Sequence, residues 1–283
     1  YNVEAYIDRA LQSLREQTFE NFEIIAVDDG STDGTGARLR WWAEREPRLR
    51  IHGQKNRGPY LARLSGIAQA RGTWVTFMDA DDELEPGHLA GLWGGTADDV
   101  DVVVTGVVAV GVDGMVHRYG PRLGRIGGEQ AAIELLTGQL TGHHGNGLSS
   151  CWNKLYRHKV LLGAGLQRSR IDLGEDEIFN LRVFRSIRGK VNGVEGYSYR
   201  YIARSGSIMR SVSERHVDDF FDLWRERNEA ASAVLSEKEA LKAYWRWEIV
   251  RVMDFAGVVF RSRSTPLMRR LDAGLEEMQF EPS

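Results

Sequence analysis

Apolar residues along the chain recur with two different periods, and the alternation between those periods predicts the architecture. Val3, Ile7, Ala10, Leu11 and Leu14 fall at helical spacing, so residues 3–17 read as an amphipathic helix. The apolar run at 22–27 stops at Asp28-Asp29-Gly30-Ser31, which reads as a buried strand ending in a turn. A second helix covers about 34–45, with Ala37, Leu39, Trp42 and Ala43, and residues 49–52 form a short strand. Residues 60–70 are a third helix with Gly72 as its stop. The strand at 73–78 runs straight into Asp79-Ala80-Asp81-Asp82. Such alternation of helix and strand predicts an α/β domain, with a mostly parallel, Rossmann-like sheet flanked by helices.

The texture changes further along. Strands at 100–110 and 115–119 flank Asp113-Gly114, a hairpin signal. Residues 128–137 and 174–186 read as helices, and 190–203 as a strand. Residues 138–149 are rich in glycine and histidine and predict a surface loop near the functional site. Beyond Ser213 the pattern is helical throughout. Val217, Phe220, Phe221, Trp224, Ala231 and Val234 form one stripe, and Trp245, Ile249, Val252, Met253, Ala256 and Phe260 another. The expected organisation is an α/β domain over 1–212 and a C-terminal helical region over 213–283. The stripes suit packing against the first domain, or a subunit interface that would make a homo-oligomer. Arg261, Arg263, Arg269 and Arg270 form either a solvated basic face or a contact to an anionic membrane or polymer.

Composition narrows the function classes. The net charge is −3, from 37 basic and 40 acidic residues, so the chain lacks the basic excess of a general nucleic-acid binder. Its most apolar stretch, 100–112, is interrupted by Asp101, Thr105, Gly106 and Gly111 and falls short of the ~20 residues that span a bilayer. The single cysteine, Cys151, offers neither an intramolecular disulfide nor a zinc spacing, which fits a reducing, cytoplasmic setting. The chain opens on Tyr1-Asn2 without a methionine or a signal peptide and reads as a trimmed product.

The carboxylates carry the chemistry. Ligands of open α/β sheets bind at the carboxyl ends of the strands, and two acidic clusters sit there: Asp28/Asp29 and Asp79/Asp81/Asp82. A leaving nucleoside diphosphate develops charge that a hard divalent cation can carry on oxygen ligands. Asp79 and Asp81 can divide that work, one reaching ribose hydroxyls and the other the metal. A carboxylate only accepts hydrogen bonds, so an aspartate at 28–29 suits a base-ring N–H such as that of uracil. The structural alternatives are a simple turn at 28–34 and a helix-start acid at Asp82 or Glu83. Lys154 and the run from Arg204 to Arg210 are candidates to clamp the diphosphate. His143 and His144 of the glycine-rich loop, and Trp152 as an aromatic platform, are candidates to meet an acceptor, although Trp152 equally suits a core.

Taken together, the blocks Tyr1-Asn2, Ser13-Leu14 with Gln17-Thr18-Phe19, Asp28-Asp29-Gly30-Ser31-Thr32-Asp33, Asn56-Arg57-Gly58 with Ala62-Arg63, Asp79-Ala80-Asp81-Asp82, Trp152-Asn153-Lys154 with Tyr156, and Gly174-Glu175-Asp176 stand in a diagnostic order. In that order the chain resembles glycosyltransferase family 2, with a GT-A fold over roughly 1–212, and within it the bacterial cell-envelope, capsule and teichoic-acid glycosyltransferases. The resemblance implies that Tyr1 lies against uracil, Asp29 binds the base edge and Arg63 approaches the diphosphate or base. It implies Asp79 on the ribose, Asp81 on manganese or magnesium, and Asp176, beside Glu175, as general base. The family is inverting, so one direct displacement is expected. Two departures stand out: the apolar first strand that the family carries before the Tyr-Asn pair is absent, and Leu64-Ser65-Gly66 follows Arg63 where the family often has asparagine.

The expected activity is transfer of a hexose or N-acetylhexosamine from a UDP-sugar to a hydroxyl of a glycan, polyol-phosphate polymer or lipid-linked acceptor, in the cytoplasm or at the inner face of the membrane. A nucleotidyltransferase and a non-catalytic nucleotide-sugar-binding module on the same fold remain as alternatives.

Overall fold

The computed structural model describes residues 1–121, 124–137, 148–166, 174–203, 213–235, 238–262 and 264–278. In chain order the first elements are α1 (Ile7–Arg15), β1 (Ile24–Asp28), α2 (Thr35–Ala43), β2 (Leu49–Gly53), α3 (Pro59–Gln69), β3 (Trp74–Thr76), β4 (Glu83–Leu84) and α4 (His88–Gly94). Then come β5 (Val100–Val110), β6 (Val116–Tyr119), β7 (Gly124–Gly127), α5 (Gly128–Thr137), β8 (Lys154–Arg157), α6 (His158–Gly163), α7 (Glu175–Ser186) and β9 (Lys190–Ile202). Three helices close the chain: α8 (Glu214–Val234), α9 (Lys238–Ser262) and α10 (Thr265–Glu277).

The fold is α/β, as the alternation predicts, but its strand directions need a correction. β1 and β2 pair in parallel, and β5 and β9 pair in parallel. The other described pairs of the seven-stranded sheet β3-β8-β5-β9-β4, with β6 on β5 and β7 on β9, are antiparallel. The expectation of a mostly parallel sheet extrapolates the opening βαβ rhythm, whereas β6 returns through a tight hairpin, with Gly114 at φ 80°. Short connections make antiparallel neighbours; parallel ones need a long crossover. Among the described residues no ladder joins β1 to β3.

β5 is the buried spine. Val100, Val102, Val103, Val104 and Val107 are all fully enclosed, which explains why its sequence is a near-continuous valine run rather than an alternation. The main core gathers Val102 and Val104 with Leu136 of α5, Phe179 and Val183 of α7, and Ala230, Ala231 and Tyr244 of α8 and α9. The two halves of α8 therefore serve different cores. Val217, Phe220, Phe221 and Trp224 pack with Val259 of α9 and Leu267 and Leu271 of α10, whereas the end of α8 joins the sheet. The boundary expected near 212 lies outside the described residues. Among the described residues no helix is long and apolar enough to cross a membrane.

Candidate active site

The sequence blocks converge because each organises a loop at one end of the sheet. Asn2 takes a left-handed conformation at φ 51°, as asparagine tolerates. Its N–H donates to Ser31 Oγ at 3.0 Å, and its Oδ1 accepts from Thr32 N at 2.9 Å. The chain start is thereby tied to the turn after β1, and Tyr1 projects at the rim, 55% exposed.

Asp29 lies behind that turn, where its carboxylate anchors a neighbouring loop. Its Oδ1 accepts from Gln54 Nε2 at 2.7 Å and Arg57 N at 2.9 Å, and its Oδ2 from Gly58 N at 2.8 Å. A carboxylate has about four acceptor positions, and three donors from the loop that leads into α3 meet this one. The pairing also explains two glycines. Gly30 (φ 75°) sits where a Cβ would come within 2.8 Å of Asn56 N, and Gly58 (φ 88°) starts α3 just before Pro59.

After β3, the acidic motif is held from behind. Asp79 N donates to Tyr199 Oη at 3.2 Å, and that hydroxyl donates to Asp82 Oδ2 at 2.7 Å. Asp82 Oδ1 accepts from Ile202 N at 2.9 Å. Asp82 is thus the interior anchor of the motif rather than a helix cap, and burial followed by the Asp79 carboxylate pushes its pKa to about 8. The Ser-Leu…Gln-Thr block of α1 fastens the exit of this loop. Ser13 Oγ accepts from Leu84 N, Gln17 Nε2 donates to Glu85 O at 2.8 Å, and Gln17 Oε1 accepts from Leu89 N at 3.0 Å.

Arg63 joins the two halves of the site. From α3 its guanidinium reaches Asp79 Oδ1 at 3.3 Å, Glu175 Oε1 at 3.2 Å and Asp176 Oδ1 at 2.6 Å. Glu175 and Asp176 occupy the first turn of α7, where the positive end of the helix favours acids. Asp176 Oδ2 also accepts from Cys151 N at 3.0 Å. Asn180, one turn on and fully buried, donates to Asp176 O and Ser149 O and accepts from Tyr156 Oη. Burial raises Glu175 to about 8, helped by Asp176 and opposed by Arg63. Burial, opposed by Arg63 and helped by the Asp176 and Asp81 carboxylates, brings Asp79 to about 6. Among the described residues one cation therefore serves three acids, a balance that favours a further positive group.

A divalent cation fits that donor set. Among the described residues no cluster of three or more ligating side chains stands ready. Magnesium-like ions, however, commonly take only one or two carboxylates and fill their shell with water and substrate phosphate. The half-buried Asp81 and Asp79 offer hard oxygens of that kind.

Two predicted contacts fare differently. Lys154 is wholly buried, donating to Ser150 O and, at 2.9 Å, to Asn153 Oδ1. Burial brings its pKa down to about 7. It braces the 150–153 turn and is not a surface clamp for diphosphate. Trp152 is 8% exposed, stacked on Tyr199 at 4.3 Å and near-parallel to Tyr201. It takes the core alternative and presents no face to a sugar. His143, His144 and Arg204 lie outside the described residues. Reading the sequence missed Asn180 and Tyr199, because only their distant partners reveal their purpose.

The family model for glycosyl transferase family 2 matches residues 1–162. GlyA of Streptococcus pneumoniae serotype 4, a glycosyltransferase, is 30% identical over 80% of this chain and 33% of its own length. The cholesterol galactosyltransferase of Borreliella burgdorferi is 28% identical over 76% of this chain and 62% of its own. EpsH of Bacillus subtilis is 29% identical over 86% of this chain and 69% of its own, so the chain spans about one to two thirds of these relatives. In fold it is similar to S. aureus TarS 1-349 in complex with UDP (TM-score 0.63, 20% identity, 84% of this chain and 65% of that one). The complex of the same protein with UDP-GlcNAc gives a TM-score of 0.64 at 18% identity, over 96% of this chain and 81% of that one. The chain belongs to glycosyl transferase family 2 and is a glycosyltransferase of the GT-A fold.

Proposed function

We propose that the site transfers a hexose or N-acetylhexosamine from a UDP-sugar to a hydroxyl of a cell-envelope glycan, polyol-phosphate polymer or lipid-linked acceptor, with inversion and with Asp176 as general base. The observation that carries this reading is the Arg63 cluster. It unites a strand-end aspartate with a helix-start acid pair more than 90 residues away, the pairing of a leaving-group side with an acceptor side.

The residues divide the reaction as follows. The turn shaped by Asn2, Asp29 and Gly58 forms the floor for the nucleotide base, with Tyr1 at its rim to cover the ring. Asp79 meets the ribose, and Asp81, with Asp79, holds manganese or magnesium. When bound, that metal neutralises charge developing on the diphosphate. Burial raises Glu175 to about 8, and the base role is assigned to its neighbour Asp176, which faces Arg63. As the acceptor oxygen attacks the anomeric carbon, the sugar–phosphate bond breaks and UDP leaves, and the acceptor's proton passes to the Asp176 carboxylate. Arg63 and the Cys151 amide hold that carboxylate in place. A single displacement needs no covalent nucleophile. The fold neighbours with UDP and UDP-GlcNAc support a uridine donor.

Calorimetric titration of UDP, GDP, CDP and ADP, each with and without manganese, tests the donor side. Manganese-dependent binding of UDP alone, abolished by Asp81→Asn, is expected. Equal binding of all four, or UDP affinity unchanged by Asp81→Asn in manganese, would remove the uridine and metal assignments. UDP binding without sugar release from any UDP-sugar would favour the binding-module alternative.

A further inference from the structure

We infer that Arg227 of α8 is a positioning residue for the acid pair of α7, and that the C-terminal helices act on the chemistry through it. This inference rests on the reading of Asp176 as general base.

The first turn of α7 carries three consecutive acids, Glu175, Asp176 and Glu177. Successive residues of a helix point about 100° apart, so they fan around the axis. Glu175 and Asp176 turn to Arg63 on the α3 side. Glu177 turns the opposite way, where its Oε1 pairs with Arg227 Nη1 and its Oε2 accepts from Arg251 Nη1 at 3.0 Å. The turn that presents the acid pair is therefore gripped between two arginine centres, one from the α/β domain and one from the C-terminal helices.

Arg227 is built for rigidity. It has no exposed surface. Its Nε donates to Glu248 of α9, its Nη2 donates to Leu136 O at the end of α5 at 2.9 Å, and the Tyr244 ring lies 5.8 Å from its guanidinium carbon. Three elements besides its own meet on one planar cation, whose fork fixes their relative angles. A buried ion network is a poor source of net stability, because desolvation offsets the attraction; what it supplies is geometry. Apolar packing reinforces the same contact. Gly174, which starts α7 at φ 84°, abuts Leu223 of α8 so closely that a Cβ would lie 2.5 Å from Leu223 Cδ2, and Ile178 packs on the same leucine. α8 thus presses on the start of α7 through Leu223 and grips it through Arg227.

The test compares Arg227→Met, Arg251→Gln and Asp176→Asn, alone and combined, in the full chain. Amide hydrogen exchange is read at 174–181 and along β5. UDP affinity is read by calorimetry with manganese. Turnover is read as UDP release from UDP-N-acetylglucosamine, UDP-glucose and UDP-galactose. Arg227→Met is expected to raise exchange at the start of α7 by roughly tenfold or more while β5 stays protected. UDP affinity should stay within about twofold, and kcat should fall roughly ten- to a hundredfold, as misplacement of a reacting group does. In the Asp176→Asn background the same substitution should cause no further fall, because it acts through Asp176. Arg251, half-buried at the outer edge, gives a smaller effect of the same kind and decides the matter if Arg227→Met does not fold. Unchanged exchange at 174–181, an equal rise in β5, or a fall that adds to that of Asp176→Asn would overturn the inference. Near-normal turnover of Asp176→Asn itself would instead remove the general-base reading, leaving the exchange result to stand on its own.

Discussion

Three carboxylates share Arg63, and this sets what each can do. Asp176 has one oxygen on the guanidinium and the other on the Cys151 amide, so it is held without being surrounded. The expected consequence is selective. Asp176→Asn keeps the shape and the UDP affinity but lowers transfer roughly 10²- to 10⁴-fold, the usual worth of a positioned base. Single-turnover rates beside calorimetry will show the split; parallel losses of binding and rate would mean that the residue is structural. At this scale the sequence was informative about residue type. A carboxylate one residue from another at a strand end signals a polar site, and Asp79, Asp81 and Asp176 stand at or beside the Arg63 cluster. It could not show which acids also hold loops: Asp29 and Asp82 look the same in sequence, and only their partners, Gln54, Arg57 and Gly58 for the first and Tyr199 and Ile202 for the second, reveal that they do.

At the scale of elements, the blocks that identify the family are mostly fasteners. Gln17 of the segment after α1 binds Glu85 O, Ser13 O and Leu89 N, pinning the chain that leaves the acidic motif. Gln17→Leu strands the Leu89 N–H, which costs about 1–3 kcal/mol when buried and unpaired, whereas the Glu85 carbonyl keeps the His88 N–H. A lower urea midpoint with an unchanged slope is expected, and a midpoint equal to the parent's would show that water satisfies that group. The main elements were legible from period and glycine stops, within a few residues at their ends. β4, α4, β7, β8 and α6 were not, being two to seven residues long: too short for a period, they are supported by the neighbouring elements they pair or pack with.

At the scale of the molecule, the C-terminal helices belong to the core they cover. Ala230, Ala231 and Tyr244 pack with Leu136 and Phe179, and Arg227 joins α5, α7 and α9. Removing residues 213–283 should therefore expose the main core and yield aggregation or loss of cooperative unfolding on heating. A monomeric truncated chain melting at the parent temperature would make the region dispensable for folding. Acid sensitivity is a second whole-molecule property. His88, at the start of α4, is buried with Nδ1 2.9 Å from Ser198 Oγ, and burial lowers its pKa to about 3. The unfolded chain binds a proton at about 6.5, the folded one only near 3, so unfolding takes up a proton between these values. Stability is full above about pH 6.5 and declines as pH falls toward 3, and His88→Asn should flatten that limb of a Tm–pH curve. An unaltered acid limb would assign it to other groups.

The sequence by itself determined the local properties of this chain. Hydrophobic period set helix and strand, glycine and proline set their ends, and the order of short blocks set the family, because backbone preference and side-chain chemistry act within a few residues. The tertiary structure alone decided which partner satisfies each polar group. It made Asp29 a loop anchor, Lys154 a buried brace and Trp152 a core stack, turned the sheet largely antiparallel, and brought Arg63 to Glu175 and Arg227 to Glu177. Those outcomes depend on residues tens to more than a hundred positions apart. Ion pairing and burial are set by distance in space, which no local pattern encodes.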